Sequence, residues 1–137
     1  MDTRNRHIRN GVGAVRPFVY GRPDLIDFVQ HVFGAVELER NRVAGGFHVQ
    51  ARIGDSVVVL SATQPPYADA TRASIYVYVD DVDATYARAL AAGARSLSEP
   101  TDRPFQERCA SVADAFGNVW YLATFRTVPD AAALDRM

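Results

Sequence analysis

Apolar residues recur at helical spacing in two short segments of the chain. In the first segment, five of them follow the i, i+3, i+4 spacing of an amphipathic helix: Leu25, Phe28, Val29, Val32 and Phe33. Pro23 suits the first turn of this helix, because its fixed φ angle is already helical. Gly34 then allows the left-handed conformation that ends many helices. The pattern predicts a helix that lies with one face against a core.

The second helical segment follows an acidic cluster, Asp80, Asp81 and Asp83. The spacing predicts a helix that ends at Gly93 and buries Val82, Tyr86, Ala89 and Leu90. The acidic cluster resembles a metal site at first sight. Short acidic side chains before a helix also cap its free N–H groups and complement its dipole. We therefore interpret the cluster as a helix cap.

Elsewhere polar and apolar residues alternate, which is typical of strands whose two faces differ. In residues 47–53 the odd positions are apolar and are expected to face the helix. The even positions place His48, Gln50 and Arg52 together on the opposite face. This segment is therefore predicted to present a polar face of three hydrogen-bonding side chains.

Two later segments alternate in the same way but place tyrosines on the polar face. Tyr76 and Tyr78 alternate with aliphatic residues in 74–79, and Tyr121 lies between two apolar residues in 119–123. A face of His, Gln, Arg and three Tyr is too apolar for full exposure and too polar for an ordinary core. A partly enclosed cleft for a small molecule explains the mixture. A solvated outer face with a few tyrosines is the alternative.

The order of elements occurs twice along the chain. Each half reads strand, helix, and three further strands; the glycines that end the helices, Gly34 and Gly93, lie 59 residues apart. Such self-similarity indicates duplicated supersecondary units. We therefore predict an α+β fold of two βαβββ modules, at about residues 13–62 and 73–126. A flexible N-terminal arm, 1–12, precedes them, and a tail, 127–137, follows and is expected either to form a short helix or to fray.

The composition narrows the class of protein. The chain has 137 residues, of which 48% are hydrophobic, and this size fits one globular domain with its own core. Its 15 basic and 16 acidic residues are interspersed, which favours neither nucleic acid nor a membrane surface as a partner. All the basic residues are arginine, which excludes lysine Schiff-base chemistry. The single cysteine, Cys109, cannot form an internal disulfide, and we expect a cytoplasmic protein.

Three segments, at 53–57, 75–84 and 114–124, carry a resemblance to the vicinal oxygen chelate superfamily, and to its PhnB-like, glyoxalase/bleomycin-resistance branch. The third resembles that branch's Asp-Pro-Phe-Gly motif, with Ala115 in place of the proline. The superfamily includes glyoxalase I, extradiol dioxygenases and fosfomycin and bleomycin resistance proteins. The resemblance implies a curved mixed sheet that encloses a cleft between the modules, with the helices on its outer face. It also implies a homodimer.

Metal-using members of the superfamily place His, Glu or Gln ligands on the first and last strands of each module. The corresponding positions here fall near Pro17, Val59, Ser74 and Tyr121. None of these side chains is a normal ligand for a catalytic divalent ion. We therefore expect no metal and no other cofactor.

The remaining candidates for acid/base chemistry are His48 and Glu107, since a histidine titrates near neutrality and a carboxylate could orient it. The alternative is that His48 contacts a ligand or only forms hydrogen bonds, and that Glu107 is a surface charge in a loop. Arg108 is expected either to hold this loop or to contact a ligand. Cys109 is expected to be a small buried thiol rather than a nucleophile.

Two functions from different classes remain open at this point, beside a third possibility, a domain whose role is only protein association. The first is a metal-independent protein that binds a small, partly aromatic molecule. Its ligand contacts would be Gln50, Arg52, Tyr76, Tyr78, Arg108 and Tyr121. The second is an enzyme, either a lyase, isomerase or cyclase that uses His48 with Glu107, or a metal-dependent glyoxalase or dioxygenase with divergent ligands.

Overall fold

The computed structural model describes residues 9–67 and 69–126. The chain divides after Ala73 into two units. In the described part of each unit, a four-stranded sheet carries one helix. The predicted tail, 127–137, lies outside the described residues, as does most of the predicted arm. The described end of that arm, Arg9–Gly11, forms a short 3-10 turn, and Arg9 Nε donates to Glu39 Oε2 at 2.6 Å.

The first unit contains one helix and four strands in the predicted order. They are β1 (Phe18–Gly21), α1 (Asp24–Phe33), β2 (Val36–Val43), β3 (Gly46–Ile53) and β4 (Ser56–Thr63). The sheet order is β1-β4-β3-β2, with β1 parallel to β4 and the other pairs antiparallel. Gly34 ends α1 with φ 64°, so the predicted left-handed stop is confirmed.

The second unit repeats this topology. Its elements are β5 (Ser74–Tyr78), α2 (Val82–Ala91), β6 (Arg95–Arg103), β7 (Glu107–Ala113) and β8 (Val119–Phe125). The sheet order is β5-β8-β7-β6. As in the first unit, the edge strand β5 is parallel to its neighbour β8, and the other two pairs are antiparallel. The predicted α+β fold of two βαβββ modules is therefore confirmed.

The core of each unit lies between its helix and the aliphatic face of its sheet. In the first unit Val49 and Ala51 of β3 are buried, whereas His48 and Gln50 are half-buried and Arg52 is exposed. In the second unit Trp120 and Leu122 of β8 are completely buried. The alternation of the sequence thus sorts the side chains onto the predicted faces. Neither helix of the described chain has the length and apolar character needed to cross a bilayer.

Helix α2 buries a different set of residues from the predicted one. Val82 and Ala89 are buried as expected, but the third buried residue is Thr85. Tyr86 is half-buried and Leu90 is 36% exposed, so their predicted burial is wrong. The stripe that faces the sheet follows positions 82, 85 and 89, and Leu90 lies about 100° further around the helix. Arg88 Nη2 donates to Thr85 Oγ1 at 3.1 Å, which satisfies this buried hydroxyl.

The acidic cluster before α2 acts in part as the predicted cap. Asp81 is the N-cap, and its Oδ1 accepts a hydrogen bond from the Ala84 N–H at 3.1 Å. Asp83 instead forms a salt bridge with Arg108, with 2.8 Å between Nε and Oδ2. Within the described residues, no three His, Cys, Asp or Glu side chains come together as metal ligands.

Candidate functional site

Three tyrosines lie together on the sheet face of the second unit that is opposite α2. Tyr76 and Tyr78 of β5 and Tyr121 of β8 are 50%, 62% and 42% exposed. The rings of Tyr76 and Tyr121 are nearly parallel, with an interplanar angle of 18° and centroids 6.0 Å apart. The Tyr78 ring is tilted against Tyr76 at 5.6 Å. We call these residues, with Glu107 and Cys109 beside them, the tyrosine face.

A buried carboxylate lies at the centre of this face. Glu107 is the first residue of β7 and is only 7% exposed. The Tyr76 hydroxyl donates to its Oε1 and the Tyr78 hydroxyl donates to its Oε2. The Cys109 thiol is 3.6 Å from Oε1 and 3.5 Å from the Tyr76 hydroxyl. Both carboxylate oxygens are therefore held by uncharged donors.

These hydrogen bonds move the pKa values of the partners apart. Desolvation acts to raise the pKa of Glu107, but the hydrogen bonds from Tyr76, Tyr78 and Cys109 outweigh it, and the pKa lies below its usual value. The pKa of Tyr76 is strongly raised, first by its bond to Glu107 and then by desolvation. The pKa of Tyr78 is raised for the same two reasons. At neutral pH the cluster therefore holds one carboxylate and two neutral phenols.

An alkaline titration is expected to reveal this cluster. In the wild type, Tyr76 should ionise well above pH 10, the usual phenol value, and Tyr78 above it. Glu107→Gln should bring both back toward that value. Folding raises the pKa values of these two phenols, so their hydrogen bonds stabilise the folded protein fully below pH 10. This stabilisation is lost as the pH rises through the pKa values that the phenols have in the folded protein. Absorbance at 295 nm measures the ionisation. Glu99→Gln, an exposed position on β6, is the matched control and should leave the titration unchanged.

The polar face of the first unit carries the other predicted residues. His48 lies across from Ser61 in the strand register, and its ring is 5.4 Å from that of Phe18. Gln50 Oε1 accepts a hydrogen bond from Arg16 Nη1 at 2.7 Å. Arg16 in turn donates to the carbonyls of Gly13 and Val12, so Gln50 is held by the segment that precedes β1.

The predicted pair of His48 and Glu107 falls in two different units. Glu107 is a buried strand residue, so its interpretation as a loop surface charge is wrong. Its hydrogen-bond partners in the second unit are Tyr76 and Tyr78, which were predicted only as ligand contacts. The pairing of His48 with Glu107 stays a prediction.

Arg108 faces α2, on the side of the sheet opposite its neighbour Glu107. Its Nε and Nη2 bind the two carboxylate oxygens of Asp83 at 2.8 and 2.9 Å, and its Nη1 binds Asp102 at 3.2 Å. These bonds raise the pKa of Arg108 and lower the pKa of Asp83. The geometry favours the structural alternative for Arg108, and its role as a ligand contact stays a prediction.

Cys109 is half-buried rather than fully buried. It shares a face with Glu107, because the two lie two residues apart on β7. That spacing is visible in the sequence, whereas the proximity to Tyr76 depends on how β5, β8 and β7 pair. The thiol therefore belongs to the tyrosine face and not to the core.

A shallow depression of about 370 Å³ lies at the end of β5. It is lined by Tyr78, Val79, Asp80, Thr124 and Phe125. The Thr124 hydroxyl is already engaged, since it donates to the Val79 carbonyl at 2.9 Å and accepts from the Val82 N–H at 3.1 Å. The side chains that remain for a ligand are two aromatic rings, one carboxylate and the aliphatic side chain of Val79.

The positions that correspond to metal ligands in the superfamily do not fit a catalytic divalent ion. The Pro17 carbonyl accepts the Val59 N–H at 2.9 Å, and neither side chain has a donor atom for a metal. Ser74 and Tyr121 offer one hydroxyl and one phenol, which are weak ligands for such ions when neutral.

Comparisons with known proteins agree with this architecture. Residues 22–122 match the family model of the Glyoxalase/Bleomycin resistance protein/Dioxygenase superfamily. The uncharacterized protein Mb0911c of Mycobacterium bovis is 35% identical over 109 residues, which cover 71% of this chain and 72% of that protein. The putative glyoxylase CFP32 of the same species is 31% identical over 123 residues, which cover 85% of this chain. The chain spans about half of CFP32, since the match covers 47% of that relative.

Among solved structures, TioX from Micromonospora sp. ML1 superimposes with a TM-score of 0.63 at 28% identity. The match covers 80% of this chain and 98% of TioX. The family match, the relatives and the shared fold of two βαβββ modules lead to one conclusion: the chain belongs to the glyoxalase/bleomycin resistance protein/dioxygenase superfamily.

Proposed function

We propose that this protein binds a small, partly aromatic molecule on the tyrosine face and does so without a metal. The observation that carries the proposal is the arrangement of Tyr76, Tyr78 and Tyr121. Three large rings lie together beside a buried carboxylate, and each is 42% to 62% exposed to water. A group of exposed apolar rings of this kind marks a binding surface. A planar ligand that covers these rings would remove that surface from water.

The energetics of such a contact are sufficient for specific binding. An aromatic pair contributes about 0.5–1.5 kcal/mol beyond the area it buries. Tyr76 and Tyr121 are two nearly parallel, partly exposed rings, and the tilted ring of Tyr78 lies beside Tyr76. Together with the apolar area that is buried, this supports micromolar affinity.

The same cluster argues for binding rather than acid/base catalysis. An efficient general acid or base at neutral pH has a pKa near 7. Here the hydrogen bonds lower the pKa of Glu107 and raise those of Tyr76 and Tyr78, so all three move away from neutrality. An enzyme of the lyase, isomerase or cyclase type remains the second candidate, and it would have to rely on His48.

The proposal keeps three finer predictions from the sequence. They are membership of the PhnB-like branch, a homodimeric state and a cytoplasmic location. The branch is supported by the resemblance of residues 114–117 to its turn motif. The other two depend on the resemblance and on the single cysteine.

Binding of a neutral aromatic probe tests the proposal. We expect 1-naphthylmethanol to bind the wild type saturably, because its planar ring system can pack against the exposed rings of Tyr76 and Tyr121. NMR chemical shifts followed through a titration measure this binding. Tyr121→Ala should weaken binding about fivefold, which corresponds to the loss of one aromatic contact. Tyr86→Ala is the control, since Tyr86 lies on α2 and bonds to Ser96, on the other side of the sheet. Equal loss in both variants, or no saturable binding by the wild type, would contradict the proposal.

A further inference from the structure

We infer that the tyrosine face selects an organic cation, with the aromatic part of the ligand on Tyr76 and Tyr121 and its positive nitrogen in the depression beside Tyr78. This inference rests on the proposed function and adds the sign of the ligand's charge. Its basis is the distribution of charge on and around the face.

The first observation is that Glu107 has no cationic partner among its contacts in the described chain. Its hydrogen-bond donors are two phenols and one thiol, none of which can carry a positive charge. A buried carboxylate held in this way stays ionised, and none of its hydrogen-bond partners neutralises its charge. Because its surroundings are partly shielded from water, the negative potential extends over the tyrosine rings.

The second observation concerns the rings themselves. A cation is attracted to the face of a tyrosine ring by the ring's negative quadrupole. Tyr76 and Tyr78 each donate their hydroxyl to Glu107, which moves electron density toward the phenol oxygen and the ring. Both rings are at least half exposed and therefore available to a ligand. The hydrogen bonds thus strengthen the attraction of these rings for positive charge.

The third observation is the chemistry of the depression. Its walls include the aromatic rings of Tyr78 and Phe125, and Asp80 adds a carboxylate. Its volume of about 370 Å³ is ample for a substituted ammonium group. Two rings and a carboxylate around one small space are the elements that recognise an alkylated ammonium ion.

Two arginines of this unit are already paired with carboxylates. Arg108 is bound to Asp83 and Asp102, and Arg126 Nη2 lies 2.7 Å from Asp102 Oδ1. Arg103 is exposed and lies across from Glu107 in the strand register, so its charge opposes cation binding. Its removal therefore offers a test in which affinity rises rather than falls.

Three naphthalene probes of equal ring size and different charge separate this inference from the proposed function. They are 1-naphthylmethylammonium, 1-naphthylmethanol and 1-naphthylacetate, each titrated at low ionic strength and pH 7. We expect the cation to bind about tenfold more tightly than the neutral alcohol, and the anion to bind most weakly. If the alcohol or the anion binds as tightly as the cation, the charge inference is wrong and the aromatic site stands. If none of the three binds, the proposed function itself fails.

Variants assign the preference to the named groups. Glu107→Gln should remove most of the cation's advantage over the alcohol, and Glu99→Gln should keep it. Arg103→Gln should strengthen cation binding about threefold and leave the alcohol unchanged. Asp80→Asn changes only an exposed carboxylate at the depression, so it tests the inference even if Glu107→Gln does not fold. An unchanged ratio of cation to alcohol affinity in Asp80→Asn and Arg103→Gln would overturn the placement of the charge.

Discussion

Asp114→Asn is expected to lower the free energy of unfolding by about 3 kcal/mol, although it removes a single charge and almost no volume. Asp114 precedes the turn that leads into β8 and is 8% exposed. Its Oδ1 accepts three backbone N–H groups, from Phe116, Gly117 and Asn118, each at 3.0 Å. The carboxylate therefore holds the backbone of the turn in place through three hydrogen bonds.

The second oxygen explains why asparagine cannot replace this residue. Asp114 Oδ2 accepts the Asn118 amide and the Trp120 indole N–H, both at 2.9 Å. An amide at position 114 would place an NH₂ group against these two donors. Asn118 could turn its amide over, but the indole N–H of completely buried Trp120 would stay unpaired. An unpaired buried donor costs about 1–3 kcal/mol, and the charge-assisted bonds are lost as well.

Urea unfolding followed by the fluorescence of Trp120, the chain's single tryptophan, measures this loss. Asp55→Asn is the matched control, because Asp55 lies in the corresponding turn of the first unit but is exposed. Its Oδ1 accepts a single bond, from the Ser56 hydroxyl at 3.3 Å. We expect the control to change stability by less than about 0.5 kcal/mol. Equal unfolding midpoints for the two variants would show that the buried bonds do not stabilise the turn.

The fold was largely predictable because its determinants are local. Alternation placed Tyr76, Tyr78 and Tyr121 on one face and Trp120 and Leu122 on the other, and the structure agrees. The helix stop at Gly34 needed no knowledge of the rest of the chain. The burial of Thr85 rather than of its neighbour Tyr86 was not predictable in the same way, since two adjacent helical positions compete for one sheet surface.

The centre of the candidate site could not be predicted, because it depends on strand pairing across long distances in sequence. Glu107 meets Tyr76 and Tyr78 only because β8 lies between β5 and β7 in the sheet. Gln106, just before it, has a φ of 66°, a conformation that favours glycine. By residue type alone, Glu107 was expected to pair with His48 or to be a surface charge, and Cys109 was expected to be buried. The pairing register of the strands, rather than the composition of the chain, determines which of these side chains form hydrogen bonds with each other.

Gly46→Ala is expected to destabilise the first unit by about 3 kcal/mol, near the upper end of the cost of overpacking. Gly46 begins β3 and lies opposite Thr63 of β4. A Cβ atom there would lie 2.0 Å from the Ala62 carbonyl oxygen and 2.9 Å from the Thr63 Cα. Both are backbone atoms, so no side chain can move aside and the two strands must separate.

The position also matters for the polar face, since His48 and Ser61 pair two residues further along the same strands. Gly54→Ala is the control: its φ is 60°, and nothing lies within 4 Å of the added Cβ. It should cost only the strain of a left-handed residue, about 1 kcal/mol. Urea unfolding followed by far-UV circular dichroism measures both variants, and NMR shifts of the His48 ring show whether β3 and β4 have separated. The expectation is wrong if Gly46→Ala lowers the free energy of unfolding no more than Gly54→Ala and leaves the NMR shifts of the His48 ring unchanged. In that case the close approach of β3 and β4 does not constrain position 46.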